Sequence, residues 1–337
     1  MIIPFFIPHS GCPHQCVFCN QKHIIGQTKP VPPSAIPQKI TEYLAVRSSD
    51  NPAHAAFYGG SFTALPFETQ RAYLNAVQPF IHSGQIAGIR LSTRPDCITN
   101  EVLALLKEYR VTTIELGVQS MDDAVLARSC RGHTAADTVK AVSLIKSSGF
   151  LVGLQLMPGL PGDSAGTFMK TIDTVIELKP DFVRIYPALV IKDTPLEDLY
   201  RGGRYLPLSL DDAVTICREA LERFDLAGIE VIRIGLQPTE ELEKTGTIIA
   251  GPYHPAFRQL VESSILLDKM RSALRERGGK TGTVTFHVNP GDLSAAIGQQ
   301  RSNIKLLKKE FGVREIRIVG ENNIPRRRDP ALVSISD

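Results

Sequence analysis

The chain has 337 residues, 43% of them hydrophobic and 22% charged, which is enough to bury the core of one large α/β domain with an appendage, or of two domains. No apolar run approaches the ~18 residues of a membrane span, and no basic leader precedes the first cysteines, so we expect a cytoplasmic protein without a membrane partner. The formal net charge of +3 is uneven, with −3 over residues 1–254 and +8 over residues 255–328, and we therefore expect the C-terminal part to bind a polyanion.

Short β-rich runs alternate with longer amphipathic segments over the first 235 residues. The predicted strands cover residues 2–8, 55–58, 88–92, 113–118, 151–157 and 182–186. The predicted helices between them cover residues 34–47, 66–81, 99–109, 134–148 and 165–178. This alternation predicts an α/β fold with parallel strands. Six units are too few for a closed eight-stranded barrel, so we expect a partial (β/α)6 TIM-like barrel whose strands all end at one functional face.

The rest of the chain has a different organisation. We predict a helix over residues 210–226, a strand over 230–235, irregular structure over 236–254 and a long helix over 255–277. The tail has the pattern strand 283–288, helix 292–297, helix 301–311 and strand 315–319. We therefore divide the chain into a barrel domain (1–250), a helical linker (251–280), a small basic α/β domain (281–328) and a disordered tail (329–337).

Three cysteines follow the first predicted strand within eight residues. Cys12, Cys16 and Cys19 are separated by three and two residues, so only a loop can turn their sulfurs toward one point. Thiolates are soft ligands that suit iron–sulfur clusters or zinc. A cubane cluster held by three thiolates leaves one iron open to a substrate or cofactor. The alternative is a structural zinc site, completed by one of three nearby histidines: His9, His14 or His23.

The cysteine spacing, with Phe18 just before the third cysteine, resembles the signature of the radical S-adenosylmethionine (radical SAM) superfamily. Residues 58–63, with the sequence Tyr-Gly-Gly-Ser-Phe-Thr, follow the second strand, where that superfamily has its glycine-rich motif. Further matching segments are residues 92–96, 115–120, 131–134, 157–162 and 184–196. Together they resemble the radical domain of the Elongator catalytic subunit over residues 1–235. They are less similar to oxygen-independent coproporphyrinogen oxidases.

The resemblance implies a role for each matching residue. Cys12, Cys16 and Cys19 would hold a catalytic [4Fe–4S] cluster, and S-adenosylmethionine would bind its fourth iron. The implied cofactor-binding residues are Phe18, Gly59, Gly60, Ser61, Thr63, Ser92, Gln119, Arg131 and Gln155. Among them, the two glycines would face the methionine amine, the two glutamines would contact the ribose, and the arginine would pair with the carboxylate. Ser92 and Gln155 stand where relatives often have a carboxylate.

The tail resembles the core of a KH domain, in which a glycine-flanked loop between two helices clamps single-stranded nucleic acid. Gly298 matches the first glycine of that loop, whereas Arg301 stands in place of the second. Lys305 and Lys308 lie on the following basic helix, so these four residues are our candidate RNA contacts. The alternative is a small α/β cap with a solvated basic helix, and the residues alone leave both interpretations open.

Our leading hypothesis is a radical SAM enzyme that modifies RNA, with transfer RNA as the expected partner. The enzyme would reductively cleave S-adenosylmethionine to a 5′-deoxyadenosyl radical, with one electron from an external donor. No acetyltransferase domain is visible after residue 235, so the Elongator reaction itself is not expected. The first alternative is a radical SAM enzyme that acts on a small, tetrapyrrole-like molecule. The second is a non-enzymatic RNA-binding protein with a structural metal or an electron-transfer cluster.

Overall fold

A computed structural model of the protein describes residues 1–26, 29–46, 52–276, 282–326 and 332–336. The chain forms two compact units. Unit 1 consists of Met1–Ser209 and Ala227–Tyr253, and unit 2 consists of Leu210–Leu226 and His254–Asp337. Within the described ranges, no helix combines the length and the apolar character that crossing a membrane requires.

Unit 1 is built on an open, curled sheet of parallel strands. Its seven strands, in the described part of the chain, lie in the order β1-β2-β3-β4-β5-β6-β8. They are β1 (Ile2–Phe6), β2 (Ala53–Tyr58), β3 (Ile86–Thr93), β4 (Val111–Gln119), β5 (Leu151–Leu156), β6 (Phe182–Ile185) and β8 (Glu230–Ile234). Every neighbouring pair is parallel. The prediction of a partial barrel is confirmed, and the strand predicted at 230–235 is its seventh member.

The two faces of this sheet differ in burial because successive side chains of a strand point to opposite faces. One face is apolar and completely buried, as at Phe5, Phe57, Leu91, Leu116 and Leu154. The alternate positions form the concave face, which is polar and only partly buried. Its members include Tyr58, Arg90, Ser92, Gln155, Arg184 and Arg233. A sheet with one apolar and one polar face leaves the concave side free for chemistry.

Helices follow the strands of unit 1. They are α1 (Gln21–Ile25), α2 (Ile36–Ala45), α3 (Phe67–His82), α4 (Asn100–Glu108), α5 (Asp123–Arg128), α6 (Ala135–Ser147), α7 (Ala165–Leu178), α8 (Pro195–Arg201) and α10 (Glu240–Glu243). Several begin at a side chain that accepts a hydrogen bond from the first turn, as a stable helix start requires. Thr134 and Asp137 form a complete capping box at the start of α6. The helix predicted over residues 34–47 corresponds to α2, and its predicted end at residue 47 lies outside the described residues.

The segment predicted to be irregular, residues 236–254, has structure and belongs to unit 1. It contains α10 and the strand β9 (Ile248–Ala250), which pairs antiparallel with β7 (Val190–Ile191). The Thr239 hydroxyl donates to the Ile24 carbonyl at 2.8 Å, so this segment is tied to α1, which directly follows the cysteine loop.

Unit 2 contains the helices α9 (Leu210–Leu226), α11 (Phe257–Glu276), α12 (Leu293–Ile297) and α13 (Ser302–Phe311). Its strands are β10 (Thr283–Val288), β11 (Glu315–Gly320) and β12 (Leu332–Ser336), in the order β11-β10-β12. β10 pairs parallel with β11 and antiparallel with β12. The strand–helix–helix–strand order predicted for the tail is therefore present between residues 283 and 320.

The structure differs from the predicted domain division at three places. α9 was expected in the barrel domain, but it belongs to unit 2. Residues 251–280 were expected to be a linker, but α11 lies in the core of unit 2, where Leu266, Met270 and Leu274 pack with strand residues such as Phe286. The apolar stripe of a long helix is buried wherever a sheet can cover it. Residues 329–337 were expected to be disordered, but 332–336 form β12, since their alternating sequence Leu-Val-Ser-Ile-Ser pairs with β10. Residues 277–281, 327–331 and 337 lie outside the described residues.

Candidate functional site

The cysteine loop lies directly against the glycine-rich segment that follows β2. The Ser61 amide donates to the Ser10 carbonyl at 2.9 Å. A Cβ on Gly60 would lie 2.2 Å from that same carbonyl oxygen, and a Cβ on Gly11, whose φ is +73°, would lie 2.3 Å from the Ser61 oxygen. Both glycines are therefore required by backbone-to-backbone contact.

This contact changes the interpretation of the two predicted amine-facing glycines. A side chain on Gly60 would point to the backbone at the start of the cysteine loop, and the predicted contact of this glycine with the methionine amine stays a prediction. Gly59 has a φ of +99°, and a Cβ there would meet its nearest atoms, in Pro8 and Gln21, only at 3.6 Å. The glycine-rich motif thus fixes the position of the cysteines, a role that the sequence analysis did not assign.

The three thiols of Cys12, Cys16 and Cys19 lie within electrostatic reach of one another. Burial, followed by the neighbouring Cys16 and Cys12, raises the pKa of the Cys19 thiol to about 12. Arg131 Nη1 donates to Cys16 Sγ at 3.0 Å, and Cys12 Sγ lies 3.5 Å from Ser61 Oγ. A bound metal centre would favour the thiolate forms, since coordination replaces the thiol protons.

The donor set fits a cluster better than a single zinc ion. Among the described residues, no three His, Cys, Asp or Glu side chains converge as the ligands of one ion would. His9 Nε2 accepts from the Gln21 amide, His23 Nε2 lies 2.9 Å from Asp193 Oδ2, and the His14 ring fills the space beside Gly132. Thiolates that ligate three different irons of a cubane need not meet at one point.

Arg131 links the cysteine loop to the sheet. Its side chain is buried, and Nη2 donates to the carbonyl of Gly117 on β4. Arg94 in turn donates to the Arg131 carbonyl. The Nε of Arg131 is buried without a hydrogen-bond partner in the described part of the chain. An orphaned donor beside Cys16 fits an added acceptor such as the carboxylate that the sequence analysis expected here.

The two predicted ribose contacts lie side by side at the ends of β4 and β5. Gln155 Nε2 donates to Gln119 Oε1 at 3.4 Å. Gln119 is buried and has a φ of +70°, a left-handed conformation that a non-glycine residue seldom adopts. The ladder between β4 and β5 shifts register between Gly117 and Gln119. The irregular backbone turns the Gln119 amide toward the same strand ends as the cysteine loop.

Other predicted cofactor residues have partners inside the protein. Thr63 is buried, and its Oγ1 lies 2.6 Å from Thr93 Oγ1. The Ser92 hydroxyl donates to the Phe57 carbonyl at 3.4 Å. Phe18 packs into two apolar clusters under the loops that follow β5 and β6. The structure therefore gives these three side chains contacts within the protein that hold the loops, and their roles in cofactor binding stay predictions.

Two features of this region were missed by the sequence analysis. Glu115 is a buried carboxylate on the concave face, 2.7 Å from Arg184 Nε and 3.0 Å from Arg90 Nη2. His133 is buried behind the cysteine loop with its Nε2 3.3 Å from the Val118 carbonyl. Burial, followed by the charges of Arg131 and other arginine side chains, lowers the pKa of His133 to about 4. The sequence contains one signal that could have revealed Glu115, namely charged residues at alternate positions of the predicted strands.

In unit 2, the loop between α12 and α13 has an unusual backbone. Gly298 has a φ of +75°, and Gln300 and Arg301 have φ values of +49° and +63°. Arg301 thus adopts the left-handed conformation that a glycine in its place would favour. Arg301 and Lys305 are exposed, and Lys308 is half-buried. Three of the four predicted RNA contacts therefore lie on or beside the start of α13, with Lys308 one turn further along.

Two family models match the chain. The radical SAM superfamily matches residues 6–175, and the radical SAM C-terminal domain matches residues 180–266. The tRNA uridine(34) acetyltransferase of Methanocaldococcus jannaschii is 41% identical over 130 residues, which are 37% of this chain and 24% of that protein. Elongator complex protein 3 of Mus musculus is 31% identical over 186 residues, 48% of this chain and 34% of that protein.

Among solved structures, the archaeal Methanocaldococcus infernus Elp3 with an N-terminal deletion has a similar fold. The TM-score is 0.61 at 22% identity, over 82% of this chain and 63% of that one. This chain therefore spans about a quarter to a third of the length of the two sequence relatives above, and less than two thirds of the structural neighbour. At this identity the structural likeness concerns the fold alone.

Proposed function

This chain belongs to the radical SAM superfamily, and we propose that it is an enzyme that modifies RNA, with transfer RNA as its substrate class. The observation that carries the proposal is the contact of Arg131 with Cys16. It joins the three-cysteine loop to the end of β4 and leaves the buried Nε of Arg131 without a partner among the described residues. The RNA part of the proposal draws on the charge of +8 over residues 255–328 and on the names of relatives such as the tRNA uridine(34) acetyltransferase.

In this proposal Cys12, Cys16 and Cys19 hold a [4Fe–4S] cluster. Arg131, Gln119 and Gln155 hold S-adenosylmethionine. When bound, the cluster and S-adenosylmethionine would supply radical chemistry on the substrate, that of a 5′-deoxyadenosyl radical, with one electron from an external donor. The residues of the chain have the tasks of holding and orienting these groups.

Arg131 is placed to do two things at once. Its Nη1 donates to Cys16 Sγ at 3.0 Å and so fixes the position of that ligand sulfur relative to the sheet. Its Nε remains available for a carboxylate oxygen. A guanidinium can serve both acceptors because its donors point in fixed, separate directions.

The packing around the cysteine loop controls the access of water. Phe18 and Val17 pack against Leu196 and Tyr205 beneath the loop. Asn20, next to Cys19, donates to the Lys192 carbonyl at 3.0 Å. These contacts tie the loop to the segments after β6, so one side of the cysteines is closed by protein. A closed, apolar side protects a reactive species from solvent and oxygen.

Unit 2 supplies the RNA contacts in this proposal. Ile304 and Leu307 are buried, which leaves the opposite side of α13 to face outward. Arg301 and Lys305 are exposed, and Lys308 is half-buried beside the apolar side. With spacings of four and three residues, the three cations form a basic stripe beside the Gly298 loop. Cations spaced along one helix face can follow a phosphate backbone, and the adjoining loop can approach it closely.

Two measurements test the proposal. The anaerobically purified and reconstituted chain should bind about four irons. With dithionite it should release 5′-deoxyadenosine from S-adenosylmethionine, and total tRNA should carry a new modification by mass spectrometry. No iron uptake, or an intact cluster that does not cleave S-adenosylmethionine, would refute the enzyme. Cleavage without any change in RNA would refute the substrate.

The RNA contacts have their own matched control. The double variant Lys305→Glu with Lys308→Glu should weaken tRNA binding, and its log K against log[salt] slope should be less steep by about 1.4 if both lysines contact phosphates of a single strand. The control Lys140→Glu with Lys170→Glu makes the same charge change at exposed helical positions of unit 1. Equal binding by the two double variants would exclude α13 as the RNA contact.

A further inference from the structure

We propose that the concave face of unit 1 contains a binding site for an oxyanion of the substrate, formed by Arg90, Arg184 and Arg233. The inference rests on the proposed function, because it concerns the substrate of the same barrel. It adds that the substrate presents a phosphate or carboxylate group to the interior of the sheet, below the level of the cysteine loop.

The first argument is charge. Glu115 is 7% exposed in its side chain and is bracketed by Arg90 on β3 and Arg184 on β6, which are 17% and 15% exposed. Two guanidinium groups therefore share one carboxylate. Arg233 on β8 is the register partner of Arg184, so both side chains lie on the same face of the sheet. The four side chains together have a net charge of +2.

The second argument is hydrogen-bonding capacity. The Glu115 carboxylate accepts bonds from Arg90, Arg184 and the Tyr58 hydroxyl, so its acceptor sites are used. Arg90 donates to it through Nε and Nη2 only, and within the described residues its Nη1 has no partner. Arg233 forms no ion pair or side-chain hydrogen bond in that same part of the chain. Unused donors of two guanidiniums thus lie on a partly enclosed face.

The third argument is position. Glu115 precedes Gly117 by two residues on β4, and the Gly117 carbonyl is the one that Arg131 binds beside Cys16. In the register of the sheet, Arg184 and Arg233 are level with Gly117 and Gln155. Arg90 is level with Thr113, four residues or about 13 Å earlier along β4, and its side chain meets that of Arg184 at Glu115. A substrate whose reacting carbon is near the cysteine loop would therefore bring a neighbouring group to the level of Arg184 and Arg233.

The fourth argument is cost. A buried Arg–Glu–Arg cluster is seldom more stabilising than apolar packing, because desolvation offsets the attraction of the charges. Arg90 also lies over the Phe182 ring, 5.1 Å from its centroid, and Arg184 lies near Tyr186 Oη at 3.4 Å. Glu115 and these aromatic contacts hold the two guanidiniums in fixed orientations. Fixed, forked donors suit planar carboxylates and phosphates.

Site-resolved chemical protection tests the inference on the full-length holoprotein. Phenylglyoxal modifies accessible guanidinium groups, and peptide mass spectrometry reports each arginine separately. We expect inorganic phosphate to slow the labelling of Arg233 and Arg90 about fivefold or more at constant ionic strength. Exposed Arg204 is the internal control, and its labelling should not change. Uridine 5′-monophosphate and succinate, added in parallel, distinguish a phosphate-bearing nucleotide from a small carboxylate as the source of the oxyanion.

A variant provides the second readout. Arg233→Gln removes one guanidinium that has no ion pair among the described residues, so the fold should be retained. Its affinity for the protecting anion, measured by calorimetry, should fall about tenfold, whereas Arg204→Gln should bind as the wild type does. Labelling of Arg233 unaffected by all three anions, or unchanged affinity in Arg233→Gln, would overturn the site.

The outcome is separable from that of the proposed function. Protection is measured on the protein itself and needs no turnover. Cleavage of S-adenosylmethionine with no anion protection would reject the oxyanion site and leave the radical enzyme standing. Protection together with a failure to modify tRNA would retain the site and reject RNA as the substrate.

Discussion

Replacement of Gly60 by alanine should detach the cysteine loop from the sheet. An ideal Cβ at this position would lie 2.2 Å from the Ser10 carbonyl oxygen and 2.6 Å from the Ile7 carbonyl oxygen. The Ser10 oxygen would have to retreat by about 0.8 Å to reach the 3.0 Å that Cβ contacts respect. Both obstacles are backbone atoms, so no change of rotamer can relieve the clash.

The size of the effect follows from the contacts that must yield. Overpacking costs about 1–3 kcal/mol. Displacement of the Ser10 carbonyl also breaks its 2.9 Å hydrogen bond from the Ser61 amide, which costs about 1 kcal/mol. The sum, about 2–4 kcal/mol, corresponds to a fall in Tm of roughly 5–15 °C for a unit of this size. Since Ser10 is two residues from Cys12, we expect the iron content after reconstitution to fall below half of the wild-type value.

The assay compares iron per chain and apoprotein Tm for Gly60→Ala and Gly166→Ala. Gly166 lies in the first turn of α7, where a Cβ would meet its nearest atom only at 4.0 Å. That control should be neutral, or more stable by up to about 1 kcal/mol, because alanine favours the helix. If the two variants bind equal amounts of iron at equal Tm, the proposed contact between the glycine-rich motif and the cysteine loop is wrong.

Three further predictions concern other parts of the molecule. Arg131→Lys keeps the charge but loses the forked donors, so KM for S-adenosylmethionine should rise about tenfold or more with iron content unchanged; an unaltered KM would contradict its role. His133 has a pKa of about 4, below the value of 6.5 when unfolded, so the unfolded state takes up a proton first as pH falls. The free energy of unfolding should therefore decrease from pH 6.5 to pH 4 by up to about 1.4 kcal/mol per pH unit. The fall in Tm over this range should be smaller in His133→Gln, and superimposable Tm–pH curves of the variant and the wild type would refute this. Asn303 Nδ2 donates to the Ser263 carbonyl at 3.1 Å and to neighbouring buried acceptors. Asn303→Ala should therefore destabilise unit 2 by about 1–3 kcal/mol and abolish tRNA binding, whereas cleavage of S-adenosylmethionine should persist. Limited proteolysis of unit 2 would check that effect, and a protease-resistant variant would count against it.

The fold of unit 1 was predictable because its signals are local. Short β-rich runs predicted the first six strands, and α6 begins at Ala135, one residue after its predicted start, behind a capping box of Thr134 and Asp137. The pairing of β7 with β9 was not predictable, since two- and three-residue strands separated by more than fifty residues have no alternation to reveal them. The same holds for the packing of α11: its apolar stripe and the strands β10 and β11 are each visible in the sequence, but their contact in one core is not.

The candidate site was predictable in its members and less so in their contacts. The sequence identified Arg131, but its hydrogen bond joins it to Cys16, 115 residues away, and depends on the fold that brings β4 beside the cysteine loop. Thr63 and Ser92 occupy motif positions, yet the structure pairs them with protein groups. Arg301 shows the reverse case. Its replacement of a loop glycine suggested a departure, and its backbone nevertheless adopts the left-handed conformation that glycine would provide.

The path of the chain between the two units determines how the protein can be dissected. The polypeptide leaves unit 1 at residue 209, contributes α9 to unit 2 and then returns for β8 and the segment that ends at Tyr253. A truncation after residue 253 would retain α9 but remove α11, to which Arg218 is ion-paired through Asp268. The buried side chains of α9, including Ile216, Leu221 and Phe224, would then lose their cover. An isolated radical domain therefore requires replacement of α9 by a short polar connector, and a simple stop codon after the barrel should yield an aggregating product.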